Sequence, residues 1–128
     1  MENLYIEATT SSPIVDFNST THSLEITGES YPENTAEFYD PVMSWLEEYL
    51  EKIDDETVTV NLDIPYFNSS SSKVLMDFFD LLDEAADEEK HITVNWMYDD
   101  EDDSTLEAGE EFQEDLETLT FNFVVKPS

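Results

Sequence analysis

Four consecutive serines, Ser69 to Ser72, are the strongest candidates for a chemical role in this sequence. They follow Tyr66-Phe67-Asn68 and stand where a strand pattern stops and a helix pattern starts. Ser and Asn side chains cap helices well, because their oxygens accept hydrogen bonds from the free N–H groups of the first turn. The same N–H groups and the helix dipole favour an anion. The stretch therefore predicts either a helix cap or a serine that carries a phosphate.

Two features favour a role beyond capping. Four hydroxyls exceed what one cap requires, and Tyr66 and Phe67 place aromatic surface beside them, as a docking site would. A serine nucleophile would need a neighbouring base, and none is evident near this stretch, so we expect no catalytic residue here. We interpret the stretch as a phosphorylation or partner-docking site, with a plain helix cap as the simpler alternative.

The carboxylates carry little information, because 33 Asp and Glu make chance pairs common. A catalytic pair needs two different environments that separate the pKa values, and no buried pair stands out. The loop Asp99–Asp103 resembles the start of an EF-hand, with Glu110 at its twelfth position. Its sixth position, however, is Ser104 where the sharp turn needs Gly, and a strand precedes it. We expect no dedicated metal site.

Other cofactor chemistry is also disfavoured by the sequence. His22 and His91 lack the i, i+4 spacing of a helical metal site. The two glycines, Gly28 and Gly109, cannot form a glycine-rich phosphate loop. The chain has no Cys, which excludes thiol chemistry and disulfides. We therefore expect no cofactor and no enzymatic activity.

The charge balance bounds the possible partners. Four Lys against 33 acidic residues give a net charge of −29 over 128 residues, a length typical of one domain. Such a surface repels nucleic acid and anionic lipid, since both bind through clustered Lys or Arg. No apolar run is long enough to span a membrane, and the first residues lack a signal-peptide pattern. We expect a cytoplasmic domain, residues 1–128, whose partners are basic proteins.

Hydrophobic periodicity predicts the elements that position the serines. Alternating apolar residues predict strands over Leu4–Ala8, Ile14–Phe17, Ser23–Thr27, Thr57–Ile64, His91–Tyr98 and Leu119–Val125. Apolar residues spaced three and four apart predict a helix ending near Ile53, a second after the serines and a third over Leu106–Leu116. The first helix starts either at Asn34, with Pro41 inside it, or at Asp40, with Pro41 in its first turn.

The order of these elements predicts the fold class. Strand–helix–strand units imply parallel neighbours, and the second and third strands are close enough to form an antiparallel hairpin. The sequence therefore predicts an α/β (α+β) fold: a single mixed β-sheet with an N-terminal antiparallel hairpin and three helices.

Several segments resemble the SiaC-type bacterial regulatory phosphoproteins. They are Gly28–Asn34, Trp45-Leu46 with Tyr49-Leu50, and Tyr66–Lys73 with Met76-Asp77 and Leu81-Leu82. The resemblance covers nearly the whole chain and implies a fold similar to anti-sigma factor antagonist (STAS-like) domains. It also implies a hydroxyl at a helix start that a dedicated kinase phosphorylates and a PP2C-type phosphatase clears. The unphosphorylated protein would bind and activate a diguanylate cyclase and so affect biofilm formation.

The resemblance also implies which residues take part. The family's acceptor is commonly a Thr directly after the Asn, and here that position is Ser69, with Ser70 and Ser71 as alternatives. Ser72 stands where an apolar residue is usual. Phosphate would add roughly −1.5 to −2 charge at a helix N-terminus. We expect it to break a contact made by the partner-binding residues, which are Tyr66, Phe67, Asn68, Ser70 and Lys73.

A constitutive acidic interaction module is the alternative function. In that hypothesis the −29 charge alone attracts a basic partner, and no phosphorylation controls the contact.

Overall fold

The structure is a computed structural model and describes residues 1–127. Its strands are β1 Leu4–Ile6, β2 Ile14–Asn18, β3 Ser23–Thr27, β4 Thr57–Asp63, β5 His91–Tyr98 and β6 Thr120–Val125. Its helices are α1 Thr35–Lys52, α2 Ser69–Asp87 and α3 Asp103–Glu114. Among the described residues, no helix combines the length and apolar composition needed to cross a membrane.

The six strands form one sheet in the order β1-β2-β3-β4-β5-β6. The first three strands pair antiparallel, and β3-β4, β4-β5 and β5-β6 pair parallel. This mixed sheet, with its N-terminal antiparallel pairing and three helices, confirms the predicted fold class. Each helix connects two parallel neighbours, because parallel strands cannot be joined by a tight turn.

All three helices pack on one face of the sheet. On β4, Val58, Val60 and Leu62 are fully buried, whereas the residues between them point to the opposite face and stay partly exposed. The opposite face is polar: the Asn95 amide donates to Asn61 at 2.9 Å, and the Asn122 amide donates to Asn95 at 3.3 Å. Strand alternation therefore separates a core face from an open face.

Helix α1 starts at the earlier of the two predicted positions. The Asn34 side chain caps it by accepting from the Glu37 N–H at 3.0 Å, and Pro41 lies inside the helix. The alternative start at Asp40 is therefore wrong. Pro41 forfeits one backbone hydrogen bond, but the turn before it is held by its cap and by Tyr39, which is buried in the core.

Helix α3 starts at Asp103, three residues before the predicted Leu106, and ends at Glu114 rather than Leu116. Asp102 is its N-cap: one carboxylate oxygen accepts from the Thr105 N–H at 3.1 Å and the other from the Thr105 hydroxyl at 2.7 Å. These bonds lower the pKa of Asp102. Part of the acidic loop that suggested a calcium site thus serves as a helix cap.

Gly109 allows α3 to approach the sheet closely. A Cβ atom at this position would lie 2.5 Å from Trp96 Cδ1, 2.6 Å from its Nε1 and 2.9 Å from Phe123 Cε1. Trp96 is fully buried and donates its indole N–H to the Thr105 carbonyl at 2.8 Å. The glycine that weakens the helix locally is therefore required by its packing.

We expect Gly109→Ala to destabilise the protein by about 1–2 kcal/mol, because overpacking against Trp96 outweighs the better helix propensity of Ala. Urea unfolding followed by tryptophan fluorescence measures the change. Gln113→Ala, at an exposed position of the same helix, is the matched control and should change stability by less than about 0.5 kcal/mol. Equal stability of the Gly109→Ala variant and the parent would contradict the packing argument.

Asp83 of α2 holds the segment that leads into β6. Its carboxylate accepts from the backbone N–H groups of Glu117, Thr118 and Leu119 at 3.3, 2.9 and 2.8 Å. Burial raises the pKa of Asp83, but these three hydrogen bonds outweigh it, so the net shift is downward from 3.8. The ionised carboxylate therefore stabilises the folded state.

We expect Asp83→Ala to lower the free energy of unfolding by about 1–2 kcal/mol at pH 7. Because the folded pKa lies below the unfolded value, this contribution is fully present above about pH 4 and is lost as the pH falls through the folded pKa. The stability difference between parent and variant should therefore shrink in acid. Asp80→Ala, on the same helix and exposed, removes the same charge without these hydrogen bonds. A similar loss in both variants would refute the anchoring role.

Candidate functional site

The serine stretch lies at the start of α2, as the sequence predicted, but the helix includes all four serines instead of following them. Helix α2 begins at Ser69, and Asn68 is its N-cap. The Asn68 side chain accepts from the Ser71 N–H at 2.9 Å, and its carbonyl accepts from the Ser72 N–H at 2.9 Å. Asn68, rather than a serine, therefore supplies the cap, and the serine hydroxyls are left for other contacts.

The four serines point in different directions, because successive helical residues are about 100° apart. Ser69 and Ser70 are exposed, Ser72 is half-buried, and Ser71 is fully buried at 0% exposure. Within the described residues, neither the hydroxyls nor the N–H groups of Ser69 and Ser70 take a hydrogen-bond partner. The exposed first turn thus offers two accessible hydroxyls beside free N–H groups.

Ser30, in the loop after β3, is hydrogen-bonded to the segment that precedes Ser69. Its N–H donates to the Tyr66 carbonyl at 2.8 Å, and its carbonyl accepts from the Asn68 N–H at 3.1 Å. These two bonds form a parallel bridge between Ser30 and Phe67. The Ser-Tyr-Pro-Glu-Asn loop and the serine stretch, about 40 residues apart in sequence, therefore meet beyond the carboxyl ends of β3 and β4.

The side chain of Ser30 joins two more hydroxyls in the core. Its Oγ lies 2.8 Å from Ser71 Oγ and 2.5 Å from the Tyr39 hydroxyl, and all three residues are buried. Burial raises the pKa of Tyr39, although the Ser30 and Ser71 bonds oppose this. The Tyr39 phenol therefore stays protonated at neutral pH. We call Ser30, Tyr39 and Ser71 the hydroxyl cluster.

The predicted partner-binding residues have different environments. Tyr66 is 52% exposed, and its ring makes an edge-to-face contact with the exposed Tyr31 at 5.7 Å. Phe67 is half-buried, with its ring 5.8 Å from Phe112 and 6.2 Å from Trp96. Lys73 is exposed and makes no hydrogen bond or ion pair in the described chain. Tyr66 and Lys73 are thus open to a partner, whereas Phe67 mainly supports the core.

An open groove runs between α2 and α3 next to the serine stretch. Its volume is about 340 Å³, and Phe67, Ser72, Met76, Ala108 and Phe112 line it together with acidic residues. Met76 is 46% exposed, so exposed apolar surface continues from Tyr31 and Tyr66 toward this groove. Apolar and acidic side chains therefore lie together beside the start of α2.

A family model described as the SiaC family of regulatory phosphoproteins matches residues 6–126. The chain belongs to the SiaC family. An uncharacterized protein of Pseudomonas aeruginosa (strain UCBPP-PA14) is 35% identical over 126 residues, which cover 98% of this chain and 97% of that protein. The sequence resemblance to this family is thereby confirmed.

Solved structures of SiaC from Pseudomonas aeruginosa have the same fold. Apo-SiaC is 33% identical with a TM-score of 0.87, and the alignment covers 99% of this chain and 100% of that one. The structure of the diguanylate cyclase SiaD in complex with its activator SiaC matches with a TM-score of 0.91 at 32% identity, covering 96% of this chain and 99% of the matched chain. In that pair, a SiaC protein activates and binds a diguanylate cyclase.

Sequence reasoning did not assign a site role to Ser30, Tyr31 or Tyr39. The family resemblance included the loop with Ser30 and Tyr31, but only the structure brings that loop to the serines. Helical spacing could have shown that Tyr39 and Ser71 are buried. Tyr39 lies three residues before the buried Val42, and Ser71 lies four before the buried Leu75. Continuing both apolar stripes toward the helix starts would have placed Tyr39 and Ser71 in the core.

The N-cap of α2 gives a direct test of the site's local structure. We expect Asn68→Ala to lower the free energy of unfolding by about 1 kcal/mol, because the Ser71 N–H loses its acceptor. Asn68→Asp should keep the parent's stability, since its carboxylate accepts the same bond and favours the helix N-terminus. Chemical unfolding monitored by circular dichroism measures both variants. An unchanged Asn68→Ala variant would show that a serine hydroxyl takes over the cap.

Proposed function

We propose that this chain is a non-enzymatic switch protein that is phosphorylated on Ser69 and, when unphosphorylated, binds and activates a diguanylate cyclase. Its membership of the SiaC family and its likeness to a SiaC that activates such a cyclase support this function. The observation that carries the switch is the exposed Ser69, the first residue of α2, beside unpaired N–H groups. Residues 1–128 would act as one regulatory domain.

The choice of Ser69 over its neighbours rests on accessibility and position. Ser71 is buried, so a kinase could reach it only after the first turn of α2 opened. Ser70 is exposed and is the competing acceptor. Ser69 directly follows Asn68, the position that the family resemblance assigns to the acceptor.

Phosphate on Ser69 would act on the docking surface more than on the fold. The helix dipole, the free N–H groups and Lys73 favour the added charge locally. A partner that covers Tyr66, Asn68, Ser70 and Lys73 would have to desolvate that charge, which is costly. Phosphorylation is therefore expected to break the contact, with the cyclase bound only by the unmodified protein.

The switch requires two further partners. A protein kinase would add the phosphate, and a PP2C-type phosphatase would remove it and restore the active form. Because a kinase needs ATP, we place this cycle in the cytoplasm.

Phosphosite mapping after incubation with the cognate kinase tests the acceptor. We expect the phosphate on Ser69, with Ser69→Ala abolishing at least nine-tenths of the incorporation and Ser70→Ala leaving it nearly unchanged. Intact-mass and peptide mass spectrometry measure both. Phosphate found only outside residues 69–72, or none at all, would overturn the proposal.

A cyclase assay separates the switch from a constitutive acidic module, which the net charge of −29 favours. The switch predicts that Ser69→Glu lowers cyclase activation at least tenfold, while Ser69→Ala still activates. The acidic module predicts equal binding by both variants and affinity that collapses with salt, since only screened charges hold the partner. Thr20→Glu, in the exposed turn between β2 and β3 and remote in sequence from the first turn of α2, is the control because it adds the same single negative charge.

A further inference from the structure

The hydroxyl cluster makes one of the four serines, Ser71, inaccessible to modification. Ser71 follows Ser69 and Ser70 in the same helical turn, yet its hydroxyl is fully buried and bonded to Ser30. The four serines are chemically equivalent in sequence, so a kinase that binds this segment would meet four similar hydroxyls. The environment set by the fold, rather than the residue type, distinguishes them.

Ser30 occupies the central position in this arrangement. Its backbone bonds to Tyr66 and Asn68 on one side of the acceptor, and its hydroxyl bonds to Ser71 on the other. Tyr39, from α1, holds the Ser30 hydroxyl in place. Ser30 thus forms hydrogen bonds with the acceptor segment before and after Ser69 but, among the described residues, none with Ser69 itself.

The cluster is fully satisfied, which makes it costly to open. Among the described residues, no buried side-chain oxygen or nitrogen lacks a hydrogen-bond partner. Exposing Ser71 to a kinase would break its hydrogen bond to Ser30 and leave the buried Ser30 hydroxyl bonded to Tyr39 alone. The frequency of such local openings depends on the bonds that hold the segment closed.

We propose that Ser30 is a positioning residue that selects the phosphoacceptor: with Tyr39 it locks Ser71 inside and holds Ser69 outside in a fixed first turn. The proposal rests on the proposed phosphorylation of Ser69 and adds the reason why the kinase modifies Ser69 and not Ser71. Removing the Ser30 hydroxyl releases Ser71, so the first turn opens more often and phosphate spreads to Ser71.

Amide hydrogen exchange tests the lock without a kinase. In Ser30→Ala, the amides of Asn68, Ser71 and Ser72 should exchange about tenfold faster than in the parent, which corresponds to the loss of one buried hydrogen bond. Tyr39→Phe removes only a hydroxyl and keeps the ring, so it should show the same direction of change without a packing defect. Unchanged exchange in both variants would overturn the lock.

Site-resolved phosphorylation with the cognate kinase tests the selection. We expect Ser71 to rise from an undetectable share in the parent to a measurable share in Ser30→Ala and Tyr39→Phe, with slower incorporation at Ser69. Asp83→Ala, which weakens the opposite end of α2, is the stability-matched control and should keep the parent's distribution. A purely structural role of Ser30 predicts lower stability with an unchanged distribution, and that result would overturn the selection.

The two tests separate this inference from the proposed function. Absence of phosphate on residues 69–72 in every variant would refute the phosphorylation switch and the selection built on it, while hydrogen exchange would still decide the lock. Phosphate on Ser69 alone in every variant would support the switch and refute the selecting role of Ser30.

Discussion

The parallel pairing of β3 with β4 is the interaction on which the rest of the site depends. Its register, Leu24 opposite Val60 and Ile26 opposite Leu62, places two fully buried pairs on the core face. The pairing continues past both strand ends as the bridge between Ser30 and Phe67. A shift of one residue would turn the buried pairs to the open face. The same register that builds the core therefore brings the Ser30 loop to the start of α2.

The extreme charge of the chain shapes the surface but leaves the start of α2 distinct. Of the four lysines, Lys52 pairs with Glu48, Lys126 pairs with Asp63, and Lys90 donates to the Leu50 carbonyl. Lys73, next to the serine stretch, is the fourth lysine and forms no ion pair within the described residues. One phosphate changes the net charge of −29 only slightly. Its electric field is screened within about 10 Å. A phosphate at this helix start can therefore act only on what lies close to it.

Much of the fold could be predicted from the sequence because apolar and polar residues alternate regularly along most of its strands. Strands β3 and β5 have the predicted bounds, since their apolar residues pack on one side and turn residues flank them. Helix starts were harder to predict. Pro41 suggested a late start for α1, but the buried Tyr39 and the Asn34 cap outweigh the lost hydrogen bond. The Asp102 cap of α3 was hidden among acidic residues that had suggested a metal ligand set.

The site was predictable as a segment but not as a set of hydroxyls with different roles. Its sequence gives a helix start and four serines, whereas their separation depends on contacts with Ser30 and Tyr39 on other elements. Because these contacts keep Ser71 in the core and leave Ser69 outside it, modification of Ser69 needs no opening of the core. A phosphate there would change the surface that a partner meets, while the hydroxyl cluster beneath would stay paired. This separation would let a small domain with only four lysines accept a charged modification at Ser69 without losing its fold.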